Sequence, residues 1–327
     1  MHAPLLIGSP VTLDPNVRSA PVISGGTLKT DTGEIIRSAG QLFIASTATA
    51  AATPSKWAAC RALGLNTVRV AVTAGRYDKT LEQQGVMIDS VVAAARNNRM
   101  YVMLMYAFDT PGAFMDNIAS RDKAMAFWEF MAPRYADVPH VFYEMINEPS
   151  RWGDASNYIS AAPANAPTNV FRWCRQVFDV MRAGAPDKII LTWSVGAVSP
   201  HANRYRVVLQ EFEALGSPID WTKTVFSFHW YNPTHVFGVT NASATDGGAA
   251  GLNALRGWGY PLLSTEWNYW VLNAAGEPIR LILQYDMRVA EAQQIGYTIM
   301  QAPGLTPDYL RIVLDDLRAN GAVIPVE

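Results

Sequence analysis

A parallel (β/α)8 barrel (TIM barrel), closed at one end by an N-terminal β-hairpin cap, is the α/β fold this sequence predicts, and three observations predict it. Short apolar, strand-like runs alternate with helix-period segments, the alternation repeats eight times, and no Pro/Gly/Ser-rich linker or charge block interrupts the series. Alternation with short links favours a parallel sheet, and eight repeats favour a closed one. A length of 327 residues suits two ordinary domains or one large barrel. The unbroken series selects one domain over 21–327, after an irregular lead-in at 1–20 rich in proline and small residues.

The elements follow in order. Leu28-Lys29-Thr30, the turn Asp31-Thr32-Gly33 and Glu34-Ile35-Ile36-Arg37 read as a hairpin suited to plugging the bottom of a barrel. Gln41–Ser46 is the expected first barrel strand. Ser55–Leu63 has helical spacing with Ser55 as a cap, and Gly64 ends it. Asn66–Val72 is the second strand, 81–97 a helix with Ile88, Val91, Val92 and Ala95 on one face, and Met100–Phe108 the third strand. Helix Asp122–Tyr135 leads into Val141–Ser150, an apolar run that suits a strand buried on both faces until Pro149 stops its ladder. Helix Val170–Ala183, strand Lys188–Ser194, helix Arg204–Leu215, strand Thr224–Trp230 and helix Ala249–Trp258 come next. The series ends with the strand carrying Glu266, helix Leu281–Ile295, strand Tyr297–Gln301 and helix Asp308–Asn320. The segments 149–168, 231–248 and 267–280 are expected as loops over one face of the barrel.

Composition removes several function classes. Half the residues are hydrophobic and 17% charged, which supports a large core and opposes disorder. A formal net charge of −2 with no basic cluster argues against nucleic acid and anionic membranes as partners. No apolar run approaches transmembrane length. The N-terminus has neither a basic n-region nor an adequate apolar stretch, so no signal peptide is expected in it, and the address stays open between secreted and cytoplasmic. Cys60 and Cys174 both fall in predicted helices and read as buried small residues. No His/Asp/Glu cluster has metal-ligand spacing, so neither metal nor cofactor is expected. Gly25-Gly26 and Gly247-Gly248 read as turns, and no Gly-x-Ser-x-Gly elbow is present. A monomer is expected.

Two carboxylates stand out. Glu148 follows the run Val141–Asn147, and Glu266 closes a short apolar strand within Pro261–Trp270. In parallel α/β folds chemistry collects at the carboxyl ends of strands. A pair of carboxylates there suits cleavage of a glycosidic bond, one as proton donor and one as nucleophile or base. Glu148 fits the acid, with Asn147 beside it to hydrogen-bond a sugar hydroxyl, and Glu266 fits the nucleophile. Arg69, a cation inside an apolar strand, needs an anionic partner and suits holding Glu266 ionised. Either glutamate alone is equally well a strand-end carboxylate paired with a surface base. Glu144 shares strand parity with Glu148 and reads as a structural group lower in the barrel, paired with a buried cation. His229-Trp230-Tyr231 ends the sixth strand, where His229 or Tyr231 is suited to orienting Glu266 or touching substrate. Trp193, Trp267, Tyr269 and Trp270 are candidates for sugar-stacking platforms or for packing.

Five motifs in order then carry a family likeness: Asp31-Thr32-Gly33-Glu34, Leu63 to Val70, Tyr143-Glu144-Met145-Ile146-Asn147-Glu148-Pro149, Phe228-His229-Trp230-Tyr231 and Ser264-Thr265-Glu266-Trp267. Over about Gly25 to Gln301 the chain resembles glycoside hydrolase family 5, of the retaining (β/α)8 clan that includes cellulases and mannanases. The resemblance implies Glu148 as acid/base and Glu266 as nucleophile in a double displacement with retention. It implies contacting or orienting roles for Arg69, Asn147, His229 and Tyr231, and a β-linked polysaccharide or oligosaccharide as substrate. An endo-β-1,4-glucanase is the expected activity, with a β-mannanase, another β-glycanase or a non-hydrolytic carbohydrate-binding barrel as alternatives. Two positions depart from the family pattern. Tyr106-Ala107-Phe108 stands where a histidine usually ends strand three, and Ile299-Met300-Gln301 stands where a tryptophan usually ends strand eight. The resemblance assigns both positions to the subsite of the cleaved sugar, where Gln301 offers a hydrogen bond in place of an indole face.

Overall fold

A computed structural model describes residues 18–43, 53–73, 79–107, 118–147, 168–193, 209–210, 212–230, 255–267, 290–292, 294–299, 307–319 and 321–325. Its strands are β1 (Val22–Ser24), β2 (Thr27–Lys29), β3 (Arg37–Phe43), β4 (Thr67–Thr73), β5 (Tyr101–Ala107), β6 (Val141–Glu144), β7 (Ile190–Leu191), β8 (Thr224–Trp230), β9 (Leu262–Trp267) and β10 (Gly296–Ile299). Among the described residues, the helices with both ends defined are α1 (Thr53–Ala62), α2 (Leu81–Asn97), α3 (Ile118–Arg134), α4 (Thr168–Gly184) and α5 (Pro307–Ala319). Strands β3 to β10 pair in sequence order, all parallel, and β10 pairs with both β9 and β3. The sheet therefore closes on itself as an eight-stranded barrel, the predicted (β/α)8 fold.

The strands sort their side chains by period two. Val68, Val70, Val102, Leu104, Tyr143, Phe226 and Tyr297 join Ile88, Val91 and Phe127 of the helices in one large cluster on the outside of the wall. Tyr101, Met103, Phe142, Leu191, Val225 and Leu263 form a second cluster inside, with Leu28 and Ile36 from the N-terminal segment. Both faces are apolar, as an all-parallel sheet covered on both sides requires.

The inner cluster is sealed at the N-terminal ends of the strands. β1 and β2 form an antiparallel hairpin about Gly25 and Gly26, whose φ angles of +63° and +72° suit the two central positions of a type I′ turn. This corrects the expected hairpin. The Asp31–Gly33 turn returns the chain only to a single bridge, Lys29 to Ile35, while the regular ladder forms around the two glycines. β2 pairs in parallel with β9, and the Tyr101 hydroxyl accepts from the Asp31 amide at 3.0 Å and donates to the Ser19 carbonyl at 3.0 Å. Arg18 crosses the plug to Asp31 and to the carbonyl of Arg99.

Element limits differ from expectation in instructive ways. Helix α2 and strand β8 have the predicted bounds, and Thr80 makes a capping box with Gln83, a motif worth about 1 kcal/mol. The first barrel strand starts at Arg37, four residues before the predicted Gln41. Its polar start hid it: Arg37 is buried because Glu291 takes Nε at 2.7 Å and Nη2 at 2.9 Å, and Tyr297 donates to the same carboxylate at 2.8 Å. β6 leaves the ladder at Glu144, short of Pro149, where the ladder was expected to stop, and β7 keeps only two ladder residues. Gly64 ends α1 at φ +90°, and a Cβ there would lie 2.2 Å from the Pro325 carbonyl. The C-terminal segment is thus held against the first helix, with Arg318 of α5 donating to the Leu63 carbonyl.

Cys60 and Cys174 are buried thiols, and burial pushes Cys60 up to about 12. Lys188, between α4 and β7, is 7% exposed and donates through Nζ to the Val138 carbonyl. Burial pushes its ammonium down to about 8, with Asp137 opposing the shift from a distance.

Candidate active site

Four strands bring the candidate side chains together. Arg69 is the third residue of β4 and points into the barrel between the outward Val68 and Val70. Glu144 ends β6, which pairs with β5, the neighbour of β4, in a register that aligns Met103 with Arg69 and Met105 with Glu144. Inside the barrel the Arg69 guanidinium donates from Nε to Glu144 Oε2 at 2.6 Å and from Nη2 to Oε1 at 2.7 Å. That is a bidentate fork, the strongest pairing a carboxylate finds with arginine. The same guanidinium reaches Glu266 Oε1 from Nη1 at 2.6 Å and Asn147 Oδ1 from Nη2 at 2.8 Å.

Glu266 is turned inward by an irregularity in β9. Phe228 of β8 is opposite Ser264, but His229 is opposite Glu266, so Thr265 is an extra residue in the strand. The register against β10 shifts at the same place. Thr265 faces in and shares a 2.7 Å hydrogen bond with Ser227. The bulge resets the alternation, so Glu266 also faces in and Trp267 packs outside against Tyr297. His229, between the outward Phe228 and the strand end, sets Nδ1 at 3.2 Å from Glu266 Oε2. With Glu266 ionised, this nitrogen carries the proton and donates.

The end of β6 is fixed from outside. Trp128 of α3 donates its indole N–H to the Met145 carbonyl at 2.9 Å, and the Asn147 amide donates to the Tyr106 carbonyl at 3.0 Å. With Asn147 Oδ1 engaged by Arg69, its side-chain NH2 is the group it offers a ligand.

Burial makes these contacts count. Arg69 and Glu144 are fully buried and Glu266 is 3% exposed. Burial alone would pull the guanidinium down, but Glu144 and Glu266 outweigh it and raise Arg69 above its ordinary value. A permanent cation therefore sits between two carboxylates where solvent screens little.

The structure thus gathers Arg69, Asn147, His229 and Glu266 of the predicted residues, and adds Glu144 as the second partner of Arg69. Both Arg69 and Glu144 are charges inside apolar strands, and that shared anomaly was the signal linking them. Trp193 and Trp267 are each 1% exposed, Trp193 packing edge-on against Phe212 at 4.7 Å. Glu148, Tyr231, Tyr269, Trp270 and Gln301, and the three expected loops apart from Trp267 and Thr168 at their ends, lie outside the described residues.

Comparisons with known proteins agree with the barrel fold and supply the family. The chain is similar to endoglucanase CelA of Streptomyces lividans, 30% identical over 152 residues, which are 45% of this chain and 28% of that protein. The chain thus spans less than a third of that relative. Among solved structures, cellulase Cel5C_n superposes with a TM-score of 0.61 at 18% identity, over 95% of this chain and 89% of the other. The catalytic domain of a mannanase from Streptomyces sp. SirexAA-E gives 0.58 at 20% identity, over 94% and 87%. The family model for cellulase (glycosyl hydrolase family 5) matches residues 35–301, most of the chain. This chain belongs to glycosyl hydrolase family 5.

Proposed function

We propose that the chain is a retaining endo-β-glycosidase, acting as an endo-β-1,4-glucanase, with residues 21–327 as its catalytic domain. Glu266 is the nucleophile and Glu148 the acid/base. The observation that carries the reading is the setting of Glu266: one oxygen held by a buried guanidinium at 2.6 Å, the other by an imidazole at 3.2 Å, at the carboxyl end of a barrel strand. A carboxylate held ionised and oriented in this way is prepared to attack an anomeric carbon.

In the first step Glu266 forms a bond to the anomeric carbon while the glycosidic C–O bond breaks and Glu148 gives its proton to the departing oxygen. In the second, Glu148 takes a proton from water, which attacks the glycosyl ester and releases Glu266. Two inversions give net retention. Neither step calls for a metal or a cofactor. Retention requires the two carboxyl groups to be about 5–5.5 Å apart. Asn147 and Tyr231 are read as substrate contacts, and Gln301 as a hydrogen-bonding residue of the cleaved-sugar subsite.

The mannanase among the structural relatives supports β-mannan as the second substrate class, since the same two carboxylates serve both sugars. Reducing-end release from carboxymethyl cellulose, mixed-linkage glucan, glucomannan, mannan and xylan, with Glu266→Ala in parallel, tests the reading. Release from the glucans that vanishes in the variant is the expected result. Release from mannan alone moves the substrate to the second class. Binding without release assigns a carbohydrate-binding barrel instead.

A further inference from the structure

We propose that Glu144 is a positioning residue that tunes the attack of Glu266, by occupying the Nε–Nη2 fork of Arg69 and leaving Glu266 only Nη1. The proposal rests on the reading of Glu266 as nucleophile. Arg69 offers one fork to two carboxylates, and Glu144 holds it at 2.6 and 2.7 Å. A carboxylate gripped by the fork has both oxygens tied to one cation and its charge largely neutralised. Glu266 is spared that. It meets a single N–H of the guanidinium at 2.6 Å, and the cation is shared between two anions in a nearly dry interior. Glu266 is thereby kept ionised yet under-neutralised, and a more basic carboxylate attacks faster. The fork also fixes the plane of the guanidinium, and with it the directions of Nη1 toward Glu266 and of Nη2 toward Asn147.

Among the described residues, the ionisable groups facing Glu266 are Arg69 from β4, His229 from β8 and Glu144 across Arg69 from β6, with Glu148 four residues after Glu144 in the chain. β9 contributes no other ionisable side chain, and Tyr297 of β10 is turned toward Glu291. Replacing Glu144 by glutamine keeps the shape and removes one negative charge, so Glu266 inherits more of Arg69. Its ionised form is then favoured, and its nucleophilicity falls.

The test is kcat and KM against pH, on the panel polymer the wild type degrades fastest, for wild type, Glu144→Gln and Glu144→Asp. Glu144→Gln is expected to move the acid limb of kcat/KM down by about one pH unit. It is expected to lower kcat about tenfold, with KM changed less than about threefold. Glu144→Asp, which restores the charge, is expected to return the acid limb to its wild-type place. A merely structural Glu144 would lower thermal stability and active fraction and leave the limb where it was. An unmoved or raised acid limb in Glu144→Gln overturns the proposal. If Glu144→Gln does not fold, Glu144→Asp decides on kcat per titrated active site, which a lowered active fraction does not move: its shorter reach slackens the fork, so a wild-type value overturns the proposal and a reduced value with the limb in place supports it. A wild type inactive on all five polymers overturns the nucleophile reading and this proposal with it, whereas an active wild type with an unmoved limb overturns this proposal alone.

Discussion

Two buried arginines in this barrel look alike and do different work. Arg37, at the start of β3, meets one carboxylate, Glu291, through a fork at 2.7 and 2.9 Å, with Tyr297 and the Val323 carbonyl completing the set. Arg69, in the middle of β4, gives its fork to Glu144 and a further N–H to Glu266. The first group is neutral and closed; the second, among the described residues, has one more carboxylate than cation. Lys188 extends the series downward, because its ammonium meets only a backbone carbonyl among the described residues. With no carboxylate in reach the cation is a burden, with one it is an anchor, and with two it leaves an anion in surplus. Partner count, more than burial, separates fold-holding charge from charge available for chemistry.

The largest expected effect comes from deleting the surplus anion. Glu266→Ala should lower turnover by on the order of 10⁴-fold, with a melting temperature close to wild type, checked by reducing-end release and calorimetry. A variant that retains more than a tenth of wild-type turnover would break the contrast at its centre. Next in size, Glu291→Leu should cost about 3–5 kcal/mol of stability by stranding Arg37, with kcat and the pH profile unchanged in the folded fraction. The double variant Arg37→Met/Glu291→Leu should recover most of that loss, since a neutral closed pair is replaceable by apolar side chains. Denaturant unfolding of the three proteins checks both statements, and a double variant as weak as the single one would refute the neutral-anchor reading of Arg37.

The smallest effect belongs to Lys188. The folded protein releases its proton near pH 8, while an unfolded chain holds it to roughly 10.4. Between these values the unfolded state binds more protons, so stability rises with pH, by about 1–3 kcal/mol in all. Lys188→Met should abolish that rise and be more stable than wild type below pH 8. Denaturation midpoints at pH 7, 8, 9 and 10 measure the difference, and parallel curves for the two proteins would contradict it.

Much of this barrel was legible because its wall and helices obey simple periods. Ile88, Val91, Val92 and Ala95 marked the buried face of α2, and the unbroken Thr224–Trp230 run marked β8. The charged cluster was legible for the opposite reason: Arg69, Glu144 and Glu266 stand in apolar strands, and such charges need partners. What escaped were features set by distant residues. Arg37 reads as the end of the expected hairpin until Glu291, far along the chain, pairs with it inside the wall. The bulge at Thr265 leaves no local trace, since Ser-Thr-Glu suits a regular strand equally well. The Gly25-Gly26 turn was visible, but its hairpin was overshadowed by the more conspicuous Asp-Thr-Gly sequence that follows.

The extra residue in β9 makes pairing register, at this one place, a condition of the site. Six residues from Leu262 to Trp267 span a stretch of wall that five would cover with regular pairing. Unbroken pairing of the same residues, with Thr265 opposite His229, would turn Glu266 from the lumen to the helical side, with every side chain of the proposed site still in the sequence. Excising Thr265, by contrast, would set Glu266 directly after Ser264, still opposite His229 and facing the lumen, and would take away the hydroxyl that meets Ser227. In β9 the code for the site lies partly in where the pairing slips, a kind of information that no inventory of residue types contains.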